Sequence, residues 1–193
     1  DIRPSRGLGD VYKRQATHGM IDLETLSTRP DATVLTVGAI KFDPYTDLEP
    51  HSGLYLRLNV DEQSELDRHV DQGTLEWWAK QDEKIRNEAL GDEDRVQLTE
   101  FVRQLNKWCV GLDELWCQGP LFDYAILQNL YAQLNTPVPW NYWQIRDSRT
   151  LFGMLPEDPR KSIQMDLHNA LADCYFQAKS VQKAYKRFGV KKR

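Results

Sequence analysis

The order of the predicted elements restricts this chain to a mixed α/β fold. Three strand patterns rich in β-branched and apolar residues come first, joined by links short enough for an antiparallel meander, at residues 19–25, 33–42 and 54–60. Helix and strand patterns then alternate, with helices predicted at 74–81, 82–90, 94–109, 122–134 and 167–188 and strands at 115–117 and 142–146. This order is typical of helices packed against one mixed sheet.

Length and cysteine content indicate a single domain in a reducing compartment. The chain has 193 residues, of which 40% are hydrophobic, and this is enough for one core. No apolar run approaches the roughly 18 residues of a membrane span. Its three cysteines show no C-x-x-C spacing, so we expect neither a disulfide scaffold nor a thiolate zinc site. We therefore expect a cytoplasmic location, where thiols stay reduced.

The net charge of −4 conceals a strong asymmetry. Seven bases and no acid lie from Lys179 to Arg193, so the rest of the chain carries −11. A net-acidic body argues against general electrostatic binding of nucleic acid, but not against an enzyme that meets phosphates through bound cations. The basic end either guides a nucleic-acid strand or is a solvated helix end favoured by the helix dipole.

Residues 1–15 differ in character from the rest of the chain. They lack apolar periodicity, and Asp10–Gln15 resembles a translated sequencing adaptor. We expect a non-native leader at 1–15, with a native disordered arm as the alternative, and a single domain over 16–193.

Three acidic features stand at places where an α/β sheet can bring them together. Asp22 and Glu24 lie two apart in a buried strand and so point to one face, although such a pair taken alone is more often two solvated acids. Two buried like charges repel unless a cation neutralises them. Asp123 begins a helix after a strand, where it either caps the helix or faces a ligand.

The third feature is His168 with Asp173. Five helical residues separate side chains by about 140° around the axis, so the pair cannot share one helix face. The two converge only if His168 lies in the loop before the helix. An ordinary helix-start histidine and a solvated acid are the alternatives, although Asp173 has apolar neighbours.

Together these motifs resemble the DEDDh 3′→5′ exonucleases of the DnaQ-like, RNase H-like superfamily. The segments Met20–Asp43 and Thr74–Gln81 look most like the branch that holds phage exodeoxyribonuclease A and a bacterial 3′→5′ exoribonuclease. The resemblance covers residues 16–189. It implies an RNase H-like mixed sheet, three antiparallel strands and then two parallel ones, flanked by helices.

The resemblance also implies a two-metal hydrolysis of single-stranded RNA or DNA that releases nucleoside 5′-monophosphates. Asp22 would bridge two divalent cations, Glu24 and Asp173 would hold one and Asp123 the other, while His168 would take a proton from water. Oxygen ligands favour Mg²⁺ or Mn²⁺.

Substrate contacts are expected from five further residues. Thr25 and Leu26 follow the metal-binding strand, Trp77 and Trp78 offer stacking surfaces, and Arg149 either touches phosphate or forms a structural salt bridge. One of the two adjacent tryptophans is expected in the core. We interpret the remaining tryptophans as packing residues, namely Trp108, Trp116, Trp140 and Trp143.

Two other function classes stay open: a nucleic-acid-binding module without turnover and a structural module docked to a polymerase. The first predicts the loss of a carboxylate and the second has no need of His168. The choice between RNA and DNA stays open because no motif indicates contacts to a 2′-hydroxyl. The oligomeric state also stays open, with a homodimer as one option.

Overall fold

The computed structural model describes residues 17–162 and 168–192. The predicted leader at 1–15 lies outside the described residues, as do the predicted helix start at Leu167 and the end of the loop predicted at 158–164. Within the described ranges, no helix is long and apolar enough to cross a bilayer.

Six strands form one mixed sheet in the order β4-β3-β2-β1-β5-β6. Their bounds are β1 His18–Thr25, β2 Val34–Phe42, β3 His51–Leu58, β4 Arg95–Val96, β5 Glu114–Cys117 and β6 Ile145–Asp147. β1, β2 and β3 pair antiparallel, whereas β5 pairs parallel with β1 and β6 parallel with β5. The predicted arrangement of three antiparallel strands followed by two parallel ones is therefore confirmed.

Seven α-helices occur within the described residues. Their bounds are α1 Val60–Glu65, α2 Gln72–Ala79, α3 Glu83–Leu90, α4 Leu98–Cys109, α5 Asp123–Gln133, α6 Ser148–Gly153 and α7 Ala170–Phe188. Gly189 ends α7 in the left-handed conformation that glycine adopts easily, as its position after the last apolar turn predicts.

The alternation of side chains along β1 assigns the two faces of the sheet. Ile21 and Leu23 belong to the core shared with α4 and α5, whereas Met20 belongs to the core shared with α7. Since side chains two apart share a face, Asp22 and Glu24 point to the α7 side. A third apolar cluster joins the end of β1 to α2 and α3. The strand pattern thus directs both acids toward the helix that carries Asp173.

Several predicted boundaries are wrong, and the larger differences have local structural causes. The third strand ends at Leu58, and α1 begins where the strand was expected to continue, because Asn59 caps it. The helix predicted from Asp94 begins at Leu98, since Arg95–Val96 pairs with β3 as an added edge strand. Residues Tyr142–Gln144 form a 3₁₀ turn before β6, and Pro159–Ser162 forms a second one inside the predicted loop.

Three of the four tryptophans interpreted as packing residues lie in the core. Trp108, Trp116 and Trp140 are core residues, and all three cysteines are free and buried. Trp143, interpreted as packing, is 59% exposed because it lies in the 3₁₀ turn with exposed Tyr142. The alternating sequence pattern predicted that Trp143 lies in a strand, but β6 begins two residues after it.

Candidate active site

Three carboxylates from two elements meet at one end of β1. Ligand oxygens of Asp22, Glu24 and Asp173 all lie within 4.8 Å of one another. Asp22 and Glu24 reach this point because they share one face of β1, and Asp173 because the first turn of α7 packs beside that strand. The packing of α7 on the sheet thereby brings together acids that are 149 and 151 positions apart in the sequence.

Burial raises the pKa of each acid in this cluster, and the charges of neighbouring acids raise it further for Asp22 and Glu24. Burial, and then the charges of Asp173 and Asp123, raise the pKa of Glu24 to about 8. The pKa of Asp22 is raised well above its usual range by burial and by three acidic neighbours. Burial raises the pKa of Asp173 to about 6, although a hydrogen bond from the backbone N–H of His168 opposes this rise. Without a cation, this cluster is held partly protonated.

Asp123 lies beside this cluster at the start of α5. It is 3% exposed, and burial raises its pKa to about 7, although hydrogen bonds from the backbone N–H of Leu23 and the Cys117 thiol oppose the rise. Its charge is in turn the largest charge effect on the pKa of Asp22. Phe122, and not Asp123, is the N-cap residue of α5. Asp123 is therefore a buried acid whose charge acts on Asp22 and Glu24, while its oxygens lie outside the group within 4.8 Å of one another.

His168 lies before α7, as the spacing to Asp173 requires. Asn169 is the N-cap, its side chain accepting from the backbone N–H groups of Leu171 and Ala172. His168 precedes that cap with φ of 80°, a conformation that residues with a Cβ rarely adopt. Burial lowers the pKa of its imidazole, so the neutral form is favoured at neutral pH.

A cleft of about 430 Å³ opens over the cluster. Asp22, Asp173 and His168 line it together with Arg160 and Lys161. An acidic floor and a basic margin would suit a substrate whose phosphate meets bound cations.

Gln177 is a cleft residue that the sequence analysis did not select. It follows Asp173 by one helical turn, and its Nε2 donates to Asp22 Oδ1 at 3.0 Å. A donor at this oxygen lowers the pKa of Asp22, opposing the effect of the acidic neighbours. The four-residue spacing from Asp173 was the available signal, because residues four apart share a helix face.

Two of the predicted substrate contacts are enclosed in the protein. Thr25 is buried, and its hydroxyl donates to the backbone oxygen of Ser27 at 2.7 Å. Leu26 is buried in the cluster shared with α2 and α3, and its backbone N–H and oxygen bond to Thr33 and Asp71. Neither side chain presents a surface to a substrate, so both expectations are corrected.

The side chains of the adjacent residues Trp77 and Trp78 point to different sides of α2, as helical geometry requires. Trp77 is 43% exposed, whereas Trp78 is 1% exposed and donates its indole N–H to the backbone oxygen of Thr25 at 2.9 Å. The expectation that one of them is core is confirmed. Trp78 has no exposed face on which a base can stack, so its assignment as a stacking residue is corrected. Trp77 remains a candidate for stacking.

Arg149 lies beside Gly119 and near the acid Asp123. A Cβ on Gly119, whose φ is +118°, would lie 3.4 Å from its guanidinium, and its charge lowers the pKa of Asp123. Farther along the chain, Lys179 and Lys186 of the basic C-terminal segment pair with Glu49 and Asp47.

The side chains fit divalent cations. Asp173 Oδ1 is buried and accepts no hydrogen bond within the described part of the chain, which is costly unless another group satisfies it. A set of clustered carboxylates with raised pKa values supplies only oxygen ligands, the type preferred by Mg²⁺ and Mn²⁺.

Sequence comparison supports a nuclease family. A model of the Rv2179c-like 3'-5' exoribonuclease domain matches residues 17–185, which is most of the chain. Among curated proteins, none matches the chain.

Several solved exonuclease structures are similar in fold. Cell-death related nuclease 4 (CRN-4) gives a TM-score of 0.63 at 17% identity, covering 91% of this chain and 65% of that chain. E. coli Exonuclease I, solved with a dA16 oligonucleotide, gives 0.60 at 17% identity over 90% of this chain and 42% of that chain. The nuclease domain of 3'hExo, a DEDDh family member bound to rAMP, gives 0.57 at 14% identity, with coverages of 91% and 94%. The predicted fold is confirmed.

Proposed function

The chain belongs to the Rv2179c-like 3'-5' exoribonuclease domain family, and from this premise we propose that it is a metal-dependent 3′→5′ exonuclease acting on single-stranded RNA. The product would be nucleoside 5′-monophosphates. The observation that carries the proposal is the gathering of Asp22, Glu24 and Asp173 within 4.8 Å, with Asp123 beside them. Family membership confirms the resemblance to 3′→5′ exonucleases, and membership in an exoribonuclease family supports RNA over DNA as the proposed substrate.

Each acid has a proposed role in holding two divalent cations, Mg²⁺ or Mn²⁺. Asp22 would contact both, Glu24 and Asp173 one of them, and Asp123 the other. Two such cations would stabilise the negative charge that develops on the attacking and leaving oxygens of the phosphodiester. The raised pKa of Glu24 supports this role, because a buried carboxylate repelled by its acidic neighbours gains most from a cation.

His168 would act as the general base. It lines the cleft with Asp22 and Asp173, and its lowered pKa keeps a ring nitrogen free to accept a proton. That nitrogen would take a proton from water as the water oxygen bonds to phosphorus and the bond to the 3′-oxygen of the preceding nucleotide breaks. A positioned base of this kind contributes typically about 10²–10⁴-fold.

Trp77 and Arg149 are the remaining candidates for substrate contact. Trp77 is half-exposed at the His168 end of the cleft, where it could stack on a base, a contact worth about 1–3 kcal/mol. Arg149 is exposed near Asp123 and could meet a phosphate. The three free cysteines support a reducing cytosol as the location.

Digestion of matched RNA and DNA oligomers tests the proposal. With Mg²⁺, a 5′-labelled RNA should give a ladder that shortens from the 3′ end, faster than the DNA of the same sequence. EDTA and Asp22→Asn should each abolish the ladder, while Asp113→Asn, at an exposed acid in the loop before β5, should not. Shifted but intact oligomers would indicate binding without turnover, and full activity in EDTA would refute the metal mechanism.

A further inference from the structure

His168 has space on two sides. It lines the catalytic cleft of about 430 Å³ and also a second cavity of about 310 Å³ that it shares with Asp82 and Ile85 of the α3 region. It lies outside α7, before the Asn169 cap, so helical geometry does not fix its ring. Some other contact must determine which cavity the imidazole faces.

That contact comes from the two tryptophans of α2. The His168 ring meets Trp77 edge-on at 4.9 Å between centroids and Trp78 edge-on at 6.1 Å. Contacts of this geometry between aromatic rings are stabilising. Trp77 is half-exposed and so can move, whereas Trp78 cannot move without opening the core.

Trp78 is itself fixed to the strand that carries the acids. Its indole N–H donates to the backbone oxygen of Thr25, the residue after Glu24, and its ring packs with Leu35 and Ala89. One hydrogen bond and one ring contact therefore connect the end of β1 to the imidazole.

We propose that Trp78 is a positioning residue for His168, which through its ring contact and its bond to Thr25 limits how far the imidazole turns from the catalytic cleft toward the second cavity. The inference rests on the proposed function, in which His168 is the base. Loss of the indole N–H would free the Trp78 ring to tilt and the imidazole to turn toward the second cavity. A misplacement of about 1 Å in a reacting group costs about 10²-fold in rate.

The test is Trp78→Phe, with Trp108→Phe as the matched control. Trp108 is also a buried indole that donates to a backbone oxygen, that of Ser52 at 2.8 Å, but it packs under β1 beside Gly19 and away from the cleft. Both variants should lose similar thermal stability. Only Trp78→Phe should lower kcat, by about 10- to 100-fold, with KM nearly unchanged. Equal kcat values for the two variants would overturn the inference.

A double-mutant cycle distinguishes positioning of His168 from a general structural effect. Trp78→Phe should cause no further loss of kcat when His168 is already alanine, because there is then no ring to position. An equal loss in both backgrounds would overturn the inference and leave the proposed function intact. Full activity of His168→Ala alone would instead refute the base in the proposed function, and the inference with it.

A measurement on the unaltered protein covers the case in which Trp78→Phe does not fold. The Mg²⁺-loaded protein should show a nuclear Overhauser contact between ring protons of His168 and Trp78. Absence of this contact, with the contact of His168 to Trp77 present, would overturn the inference.

Discussion

Replacement of Gly38 by alanine should displace the carboxylate of Asp173 without altering any proposed ligand. Gly38 lies on β2 directly opposite Asp22, and the first turn of α7 passes over it. A Cβ there would lie 2.2 Å from the backbone carbon of Ala170 and 2.4 Å from the backbone N of Leu171. Ordinary contacts begin near 3.4 Å, so α7 must retreat by about 1 Å. The backbone atoms of Ala170 and Leu171 cannot rotate away from the new Cβ as a flexible side chain can.

Because Asp173 lies in that turn, it would move with the helix away from Asp22 and Glu24. We expect a loss of about 10²-fold in kcat/KM on an RNA oligomer and a destabilisation of about 1–3 kcal/mol. Initial rates across a range of Mg²⁺ concentrations measure the first effect, and urea unfolding in EDTA measures the second. A higher Mg²⁺ requirement is also expected, since one ligand is displaced.

Gly53→Ala is the matched control. Its Cβ would approach the same helix, but at the Leu171 side chain, whose Cδ1 lies 3.2 Å away and can rotate. Activity of this variant should stay within about threefold of wild type. If Gly38→Ala also retained wild-type kcat/KM, the close approach of α7 to β2 would not be what places Asp173.

Three further predictions concern charge and hydrogen bonding. Glu24→Gln in EDTA at pH 9 should raise the melting temperature by about 3 °C or more, because Glu24, whose pKa is raised to about 8, is charged there and repels Asp173 and Asp123, and Mg²⁺ should then stabilise the protein less. Gln177→Leu should weaken Mn²⁺ binding, measured by paramagnetic resonance, by about 10-fold, because Asp22 loses its orienting donor; unchanged affinity would exclude that role. His18 accepts a hydrogen bond from the Trp116 indole, and burial lowers the pKa of His18 to about 4. Because the unfolded chain then binds the proton more readily than the folded one, the free energy of unfolding falls as the pH drops from 6.5 to 4. His18→Gln keeps an acceptor and should lose about 2 kcal/mol less than wild type between pH 7 and pH 5 in urea titrations; equal losses would contradict this.

Side-chain period and spacing determined much of the fold and the proposed site in advance. The strand pattern around Asp22 and Glu24 put both acids on one face, and the five-residue interval to Asp173 required His168 to lie outside the helix. These are local consequences of backbone geometry, so they hold wherever the segments pack.

The errors arose where pairing between distant segments overrode local pattern. Arg95–Val96 becomes a strand only because β3 offers an open edge, and Trp143 leaves the predicted strand because a 3₁₀ turn precedes β6. Thr25 and Leu26 were expected to contact substrate because the segment after the metal-binding strand does so in similar enzymes, yet Leu26 packs with α2 and α3, and the backbone oxygen of Thr25 accepts from the Trp78 indole.

Local sequence pattern was enough to predict which residues can carry the chemistry and which face of each element presents them. Packing between distant segments was needed to learn that Trp78 is buried while Trp77 is half-exposed, that Gln177 donates to Asp22, and that α7 packs closely over Gly38. Local patterns are governed by backbone geometry within a few residues, whereas burial, hydrogen-bond partners and close approach depend on atoms brought together from distant parts of the chain.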